Sequence, residues 1–283
     1  MTGGMVAHTP MTLLSEAYGW RHAMMLDGVF GIVILAWIAF FVEDFPPGYE
    51  SIKDTQEAQL SELGYMKSLR LSLLRLQNWF CGLYTCMLNL PIYLLGGFMG
   101  TPYLIEVQGY SRDEASFVMT MLFFGAVIGS PLMGWLSDKL GLRRKPMIWG
   151  AILSFVLILL IMFVGHVGSW LMIALFFALG VVTSSQVISY PTVAESSPQM
   201  LTATSVSVVS ITVISSGAIF QPLFGKLIDW HHGAATNGAY NASDLQFAMW
   251  VFPVCFLIGL VLAVVIKETY CKAKDTDWRA LHG

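Results

Sequence analysis

The side chains with the most chemistry in this chain gather between Gly125 and Lys145, in the run GAVIGSPLMGWLSDKLGLRRK. One carboxylate, Asp138, is followed by Lys139, Arg143, Arg144 and Lys145, and long apolar runs flank the cluster on both sides. The chemistry open to this set is ion pairing, not bond breaking. Asp138 lies one helical turn past Gly134 and is placed to pair with the cations that follow. In a bilayer such a stretch reads as a tight cytoplasmic hairpin between two spanning helices, with positive charge held on the inner side. Gly125 and Gly129, four residues apart, let helix backbones approach each other. A second set consists of polar residues far from the ends of apolar runs: Asn89 and Tyr93, then Ser184, Ser185 and Gln186, then Ser215, Ser216 and Gln221. An amide or hydroxyl in hydrocarbon must find another helix, a water-filled cavity or a ligand. Pro91 beside Asn89 suggests a broken helix that lines a cavity. The serines have a competing role in close packing or in bonding their own backbone.

Enzyme chemistry has no comparable signature, since H-E-x-x-H, G-x-S-G and a Gly-rich phosphate loop are all missing. The four cysteines (Cys81, Cys86, Cys255, Cys271) show no metal-site spacing. Asp229, His231 and His232 could hold a metal, but two adjacent histidines in a polar segment are more commonly solvated, and no metal or cofactor is expected. Asn241-Ala-Ser forms a glycosylation sequon.

The elements that must position these groups are membrane spans. The 283 residues are 56% hydrophobic and only 12% charged, with a mean hydropathy of +0.67. Residues 1–13 are apolar but too short to span. His22–Val42 forms a full span, with Asp27 close enough to its end to reach the interface or Arg21. Glu43–Gln77 is polar, opening on Asp44-Phe-Pro46-Pro47-Gly48. Leu69, Leu73, Leu76 and Phe80 recur at helical spacing, which predicts an interfacial amphipathic helix leading into the next span. Six spans follow: Trp79–Ile105, Arg112 to the charged turn, Pro146–Val164, Gly168–Tyr190, Leu201–Leu227 and Phe247–Ile266. Pro191–Pro198, carrying Glu195, and Lys226–Asp244 read as connecting segments.

Charge gives the sidedness. Under strict alternation Lys53, Lys67, Arg70, Arg75, Lys139, Arg143, Arg144, Lys145, Lys267, Lys272, Lys274 and Arg279 share one side, leaving Arg21, Arg112 and Lys226 on the other. The cation-rich side is expected to be cytoplasmic. A repeat supports the architecture: Pro131-Leu-Met-Gly134-x3-Asp138 recurs as Pro222-Leu-Phe-Gly225-x3-Asp229, each preceded by Gly-Ala. The copies end spans on opposite sides, as two inverted three-helix units would require.

Gly134-x3-Asp138-Lys139-x-Gly141-x-Arg143-Arg144 resembles the G-x-x-x-D-[RK]-x-G-x-[RK]-[RK] signature of major facilitator superfamily transporters. The copy here is similar to the one between helices eight and nine, and GGMVAHTPMTLLSEAYGWR near the start is similar to the end of helix five. The resemblance implies an all-α polytopic membrane protein, with a six-helix half of 3+3 inverted repeats preceded by one full and one partial helix. Its expected segments are 1–42 from the N-terminal half, a cytoplasmic linker at 43–78, the C-terminal half at 79–267 and a cytoplasmic tail at 268–283. It further implies that Glu195 is the acid that partners the signature arginines, and that Asp138, Arg143 and Glu195 belong to a network that holds the cytoplasmic gate closed when the transporter opens outward. The expected function is alternating-access transport of a small organic solute, with the polypeptide incomplete as it stands. The alternative is a truncated, non-transporting membrane protein or scaffold. Expected partners are the solute, with room for a coupling ion (H+ or Na+), the lipid bilayer, and the missing N-terminal half or a second half-transporter, with no nucleic acid. No span carries a mid-membrane Asp or Glu as an obvious proton site. The expected location is an inner or plasma membrane, as a multi-pass protein with a cytoplasmic C-terminus.

Overall fold

A computed structural model describes residues 14, 18–42, 64–165, 168–232 and 241–273, and the chain divides into two compact units, residues 1–67 and 68–283. Among the described residues every regular element is helical. In the first unit, α1 (Trp20–Phe41) is 22 residues long with a mean hydropathy of 2.2. At about 1.5 Å per residue that length crosses a hydrocarbon core of about 30 Å. Its side chains are exposed except for Ala23, as expected of a surface meant for hydrocarbon. Arg21 lies over the Trp20 ring at 5.2 Å from its centroid.

Leading into the second unit, α2 (Tyr65–Leu74) stops at Arg75, whose extended backbone makes an elbow, and α3 (Leu76–Leu90) starts immediately. The leucine periodicity predicts a helix here, but the face that packs inward is the serine face. Ser68 and Ser72 are buried, while Leu73, Leu74 and Leu76 are exposed. The small hydroxyls allow close approach, with Ser72 Oγ 3.3 Å from Ser205 Oγ and the Ser72 carbonyl accepting from Asn78 Nδ2. The leucines are left on the surface.

Six segments of the second unit are long and apolar enough to cross a membrane: Leu76–Glu106, Arg112–Leu140, Arg144–Phe163, Ser169–Ser196, Gln199–His231 and Ala242–Val265. They comprise α3, a π-helical stretch Pro91–Met99 and α4 (Gly100–Glu106); α5 (Arg112–Leu140); α6 (Arg144–Phe163); α7 (Ser169–Thr183), a 3-10 turn Ser184–Ile188 and α8 (Ser189–Ser196); α9 (Thr202–His232); and α10 (Ala242–Met249) with α11 (Val251–Val265). Three expected boundaries move. Pro91 does not break its span, because the backbone widens to a π-helix that absorbs the lost donor. Pro191 does not end its span, because it falls in the first turn of α8, where a missing N–H costs nothing, and the helix carries Glu195 to its end. Lys226 and Asp229 belong to α9 and not to a loop, since that helix runs past Leu227 to His232.

Glycines and small residues set the packing. A Cβ on Gly125 would stand 2.2 Å from the Phe177 carbonyl oxygen, one on Gly129 2.6 Å from the Val181 Cα, and one on Gly180 2.1 Å from the Leu122 carbonyl oxygen. α5 and α7 therefore meet backbone to backbone, and Ser184 Oγ donates across to the Ala126 carbonyl at 3.1 Å. The core between the other helices is aromatic and aliphatic, with Tyr84, Leu88, Phe176, Phe224, Phe252 and Phe256 fully buried. α5 starts in a capping box, with the Ser111 hydroxyl and the Glu114 carboxylate bonded to each other's N–H. It stops at Gly141, whose φ of 63° is the left-handed cap that releases the chain toward α6. The two copies of the repeat place Pro131 inside α5 and Pro222 inside α9, and Gly134 and Gly225 both have open space around the missing Cβ. α5 ends beside Glu195 through Arg143, whereas α9 starts just after that region and runs away from it, so Asp138 and Asp229 lie at opposite ends of the unit.

The packing makes a contrast between glycines. Gly180→Leu would press a side chain into the α5 backbone and is expected to abolish the monodisperse peak on size-exclusion chromatography in detergent. Gly134→Ala meets nothing and is expected to keep the folded yield, adding up to about 1 kcal/mol of helix propensity.

Candidate functional site

The charged site is built on the turn after α5. The Leu142 N–H returns to the Ser137 carbonyl at 3.2 Å and the Gly141 N–H to Asp138 at 3.1 Å, closing the helix tightly enough to aim Arg143 back across its end. The Arg143 guanidinium is buried, with 7% of the side chain exposed. Its Nη1 donates to Asp138 Oδ1 at 2.7 Å and to Ser137 Oγ at 3.0 Å. Its Nη2 donates to Glu195 Oε1 at 2.6 Å, and its Nε reaches the same carboxylate at 3.2 and 3.3 Å. Glu195 is itself largely buried and also accepts from the Thr269 hydroxyl. Asp138 is open to solvent, so it forms the rim of the network. Burial works against the charge on Arg143, yet the bonds and charge of Glu195, then Asp138, hold its pKa above the ordinary arginine value.

A third carboxylate completes the site. Glu268 Oε1 accepts the Arg143 N–H at 2.7 Å and Oε2 accepts the Arg144 N–H at 2.9 Å, which caps the start of α6 from the chain beyond α11. The Thr269 and Tyr270 N–H groups add to the same carboxylate. Burial pushes Glu268 up, and these four backbone donors outweigh it and hold the carboxyl below its ordinary range. Its role is not visible in a local motif; the signal is a lone acid just past the last span. The other signature residues separate in space. Lys139 lies over the Trp135 ring at 4.8 Å, Arg144 joins through its backbone N–H, Gly141 supplies the turn, and Gly134 is open.

The polar residues within the spans form a second group. Gln186 Nε2 donates to Asn89 Oδ1 at 3.0 Å, joining α3 to the 3-10 turn, and both residues are buried. Thr85 bonds the Cys81 carbonyl and the Gln186 carbonyl. Asn89 Nδ2 and Gln186 Oε1 make no bond among the described residues, and neither is fully sealed from the surface. The pair therefore offers one donor and one acceptor to an approaching molecule. Gln221 on α9 donates to the Tyr93 carbonyl at 3.3 Å, within the π-helical stretch, and the Tyr93 ring packs against Gly217. Ser215 is half-buried on α9, away from any bond in the Asn89–Gln186 pair. Ser184 is tied to Ala126 and Gly180, which makes it a packing residue. Sequence reasoning missed Tyr84, whose hydroxyl bonds the Met147 carbonyl and Ser185 Oγ, both at 2.9 Å. A tyrosine in an apolar run carries no spacing signal for such a partner. At the other end of the unit His231 Nδ1 lies 2.7 Å from Asp244 Oδ1, and no group of three metal-ligating side chains forms among the described residues.

Residues 81–277 match the family model of the Major Facilitator Superfamily. The Gentisate transporter of Corynebacterium glutamicum is 30% identical over 226 residues, covering 79% of this chain and 49% of that protein. The AraJ protein of Escherichia coli K12 is 25% identical over 168 residues, 59% of this chain and 38% of its own length. The Sialic acid transporter NanX of the same strain is 25% identical over 164 residues, 57% of this chain and 37% of its own length. The matches thus span half or less of each of these relatives.

The capping role of Glu268 has a pH signature. Its carboxyl is held below the ordinary 4.5, so its stabilisation is present above that value and is lost as pH falls through the lower folded value. Glu268→Gln is expected to lower the melting temperature by a few degrees at pH 7. The gap to the wild type should narrow as pH falls below 4.5 and close once the folded-state carboxyl is protonated, which a thermal unfolding series against pH would show.

Proposed function

The chain belongs to the major facilitator superfamily and is a multi-pass integral membrane protein, and on that premise we propose that it supplies the C-terminal six-helix half of a secondary transporter. Residues 68–273 carry the half, and α1 is the last helix of the preceding one. The transporter moves a small organic solute by alternating access. The cation-rich end, where Arg143 lies, faces the cytoplasm.

The observation that carries the reading is the Arg143 bridge. One buried guanidinium binds a carboxylate at the end of α5 and another at the end of α8. These helices belong to different three-helix units, so the bridge can hold the units together at one end and release them when it breaks. Rocking helices need such a two-state contact. Removing one partner of a buried ion pair leaves the other uncompensated, at about 3–5 kcal/mol, enough to shift a conformational balance by more than tenfold. Solute contact is assigned to the Asn89–Gln186 pair with Tyr93 and Gln221. Relatives named for gentisate and for sialic acid make an organic acid the first solute to test. No Lys or Arg lies in the middle of a span of this half, so a carboxylate would take its counter-charge from the other half.

Transport is read in proteoliposomes by counter-flow of labelled gentisate and sialic acid, with this chain alone and with a complementary N-terminal half. The complete assembly is expected to transport, and the chain alone is not. Absence of transport in both would favour a non-transporting scaffold. Within the active assembly Asp138→Asn and Arg143→Ala are expected to cut uptake at least tenfold with membrane insertion intact. Asn89→Ala is expected to raise KM by about five- to tenfold, the loss of one hydrogen bond of about 1–1.5 kcal/mol. Wild-type uptake by Asp138→Asn would remove the gating role.

A further inference from the structure

One cavity of the second unit lies away from the mid-depth amides. It measures about 780 Å³ and opens at the Arg143 end, between the α2–α3 elbow, the end of α8 and the chain just past α11. That size falls within the roughly 300–1,000 Å³ of small-molecule sites. Its lining divides by chemistry. Leu74, Leu76, Phe80 and Val265 make apolar walls, and Leu74 and Leu76 continue onto exposed surface. Arg75, Lys267 and Lys272 supply cations.

Two acids also touch the cavity, but their oxygens are already engaged. Glu195 is taken by Arg143 and Thr269, and Glu268 by the N–H groups of Arg143, Arg144, Thr269 and Tyr270. Among the described residues no carboxylate is ion-paired with Arg75, Lys267 or Lys272. Arg75 is held at the mouth by one bond, Nη1 to the Ser196 carbonyl at 2.7 Å, which leaves the rest of its donor fork unused. The depth is that of a head group: Arg75 immediately precedes the first span of this unit and Lys267 lies just beyond the last.

We propose that this cavity binds the phosphodiester head group of an anionic phospholipid from the adjoining leaflet, with its acyl chains along Leu74, Leu76 and Val265. Unpaired cations at a helix-end interface beside an open apolar wall match that chemistry on both counts. A free solute anion would need no greasy wall leading out of the site. The proposal rests on the chain spanning a membrane and not on what it transports. The bound lipid would brace the Arg75–Ser196 contact, and with it the helix end that presents Glu195.

The test is native mass spectrometry of the detergent-purified full chain, titrated with phosphatidylglycerol or phosphatidylcholine. Phosphatidylglycerol is expected to be retained at least tenfold better. Lys267→Gln with Lys272→Gln should weaken it about twenty-fivefold, at about fivefold per lysine. Arg112→Gln with Lys226→Gln, at the opposite end, should leave it unchanged. Arg75→Gln is a further arm, and the lysine pair carries the test should that variant misfold, because both lysines are exposed. Equal retention of the two lipids, or unchanged retention in the lysine variant, would overturn the proposal. Displacement of the lipid by millimolar inorganic phosphate would overturn it in favour of a free-anion site.

Discussion

A guanidinium that is nearly out of water has to be surrounded by acceptors, and the end of the bundle is organised to meet that demand for Arg143. Ser137 and Asp138 come from the last turn of α5, and Glu195 from the end of α8. The backbone of the same residue is held by Glu268, from the chain after α11. Three stretches, two of them distant in sequence, thus converge on one residue. Such a cluster is costly when incomplete and stable when every partner is present. That makes it suited to a contact that is either made or broken, and poorly suited to an ordinary surface decoration.

The helices reach this convergence because their backbones can touch elsewhere. α5 and α7 meet at Gly125, Gly129 and Gly180 with no room for a Cβ, which fixes the path of both helices toward the charged end. Lipid offers no hydrophobic drive between helices, so van der Waals contact and polar ties such as Ser184 to Ala126 must supply the association. The widened turn at Pro91–Met99 serves the other requirement. It places the Tyr93 carbonyl where Gln221 can satisfy it.

Much of this was legible in the residues. The spacing of Gly134, Asp138, Gly141 and Arg143 announced the hairpin, the small residues announced close packing, and the seven apolar runs each became a span-length helix. The pairing of Arg143 with Asp138 and Glu195 followed from the resemblance and is present in the geometry. The misses have physical reasons. Leucine periodicity marks a face but not its direction, so α2 was readable as amphipathic while its serine face turned out to pack. Pro91 and Pro191 signal helix breaks in water, but within long apolar helices a widened π turn or a first-turn position absorbs them. Glu268 and Tyr84 work through partners 125 and 63 positions away, a distance over which local pattern carries no information.

On the proposed mechanism the Arg143 bridge is a barrier between its own end of the bundle and the amide pair at mid-depth. The most direct measurement places a single cysteine at position 89 of the complete transporter, with native cysteines replaced, and follows its modification by a membrane-impermeant thiol reagent from the Arg143 side. With Glu195→Gln the rate is predicted to rise at least tenfold over the variant that keeps Glu195. An unchanged rate would contradict the account, since the bridge would then not control access to the site.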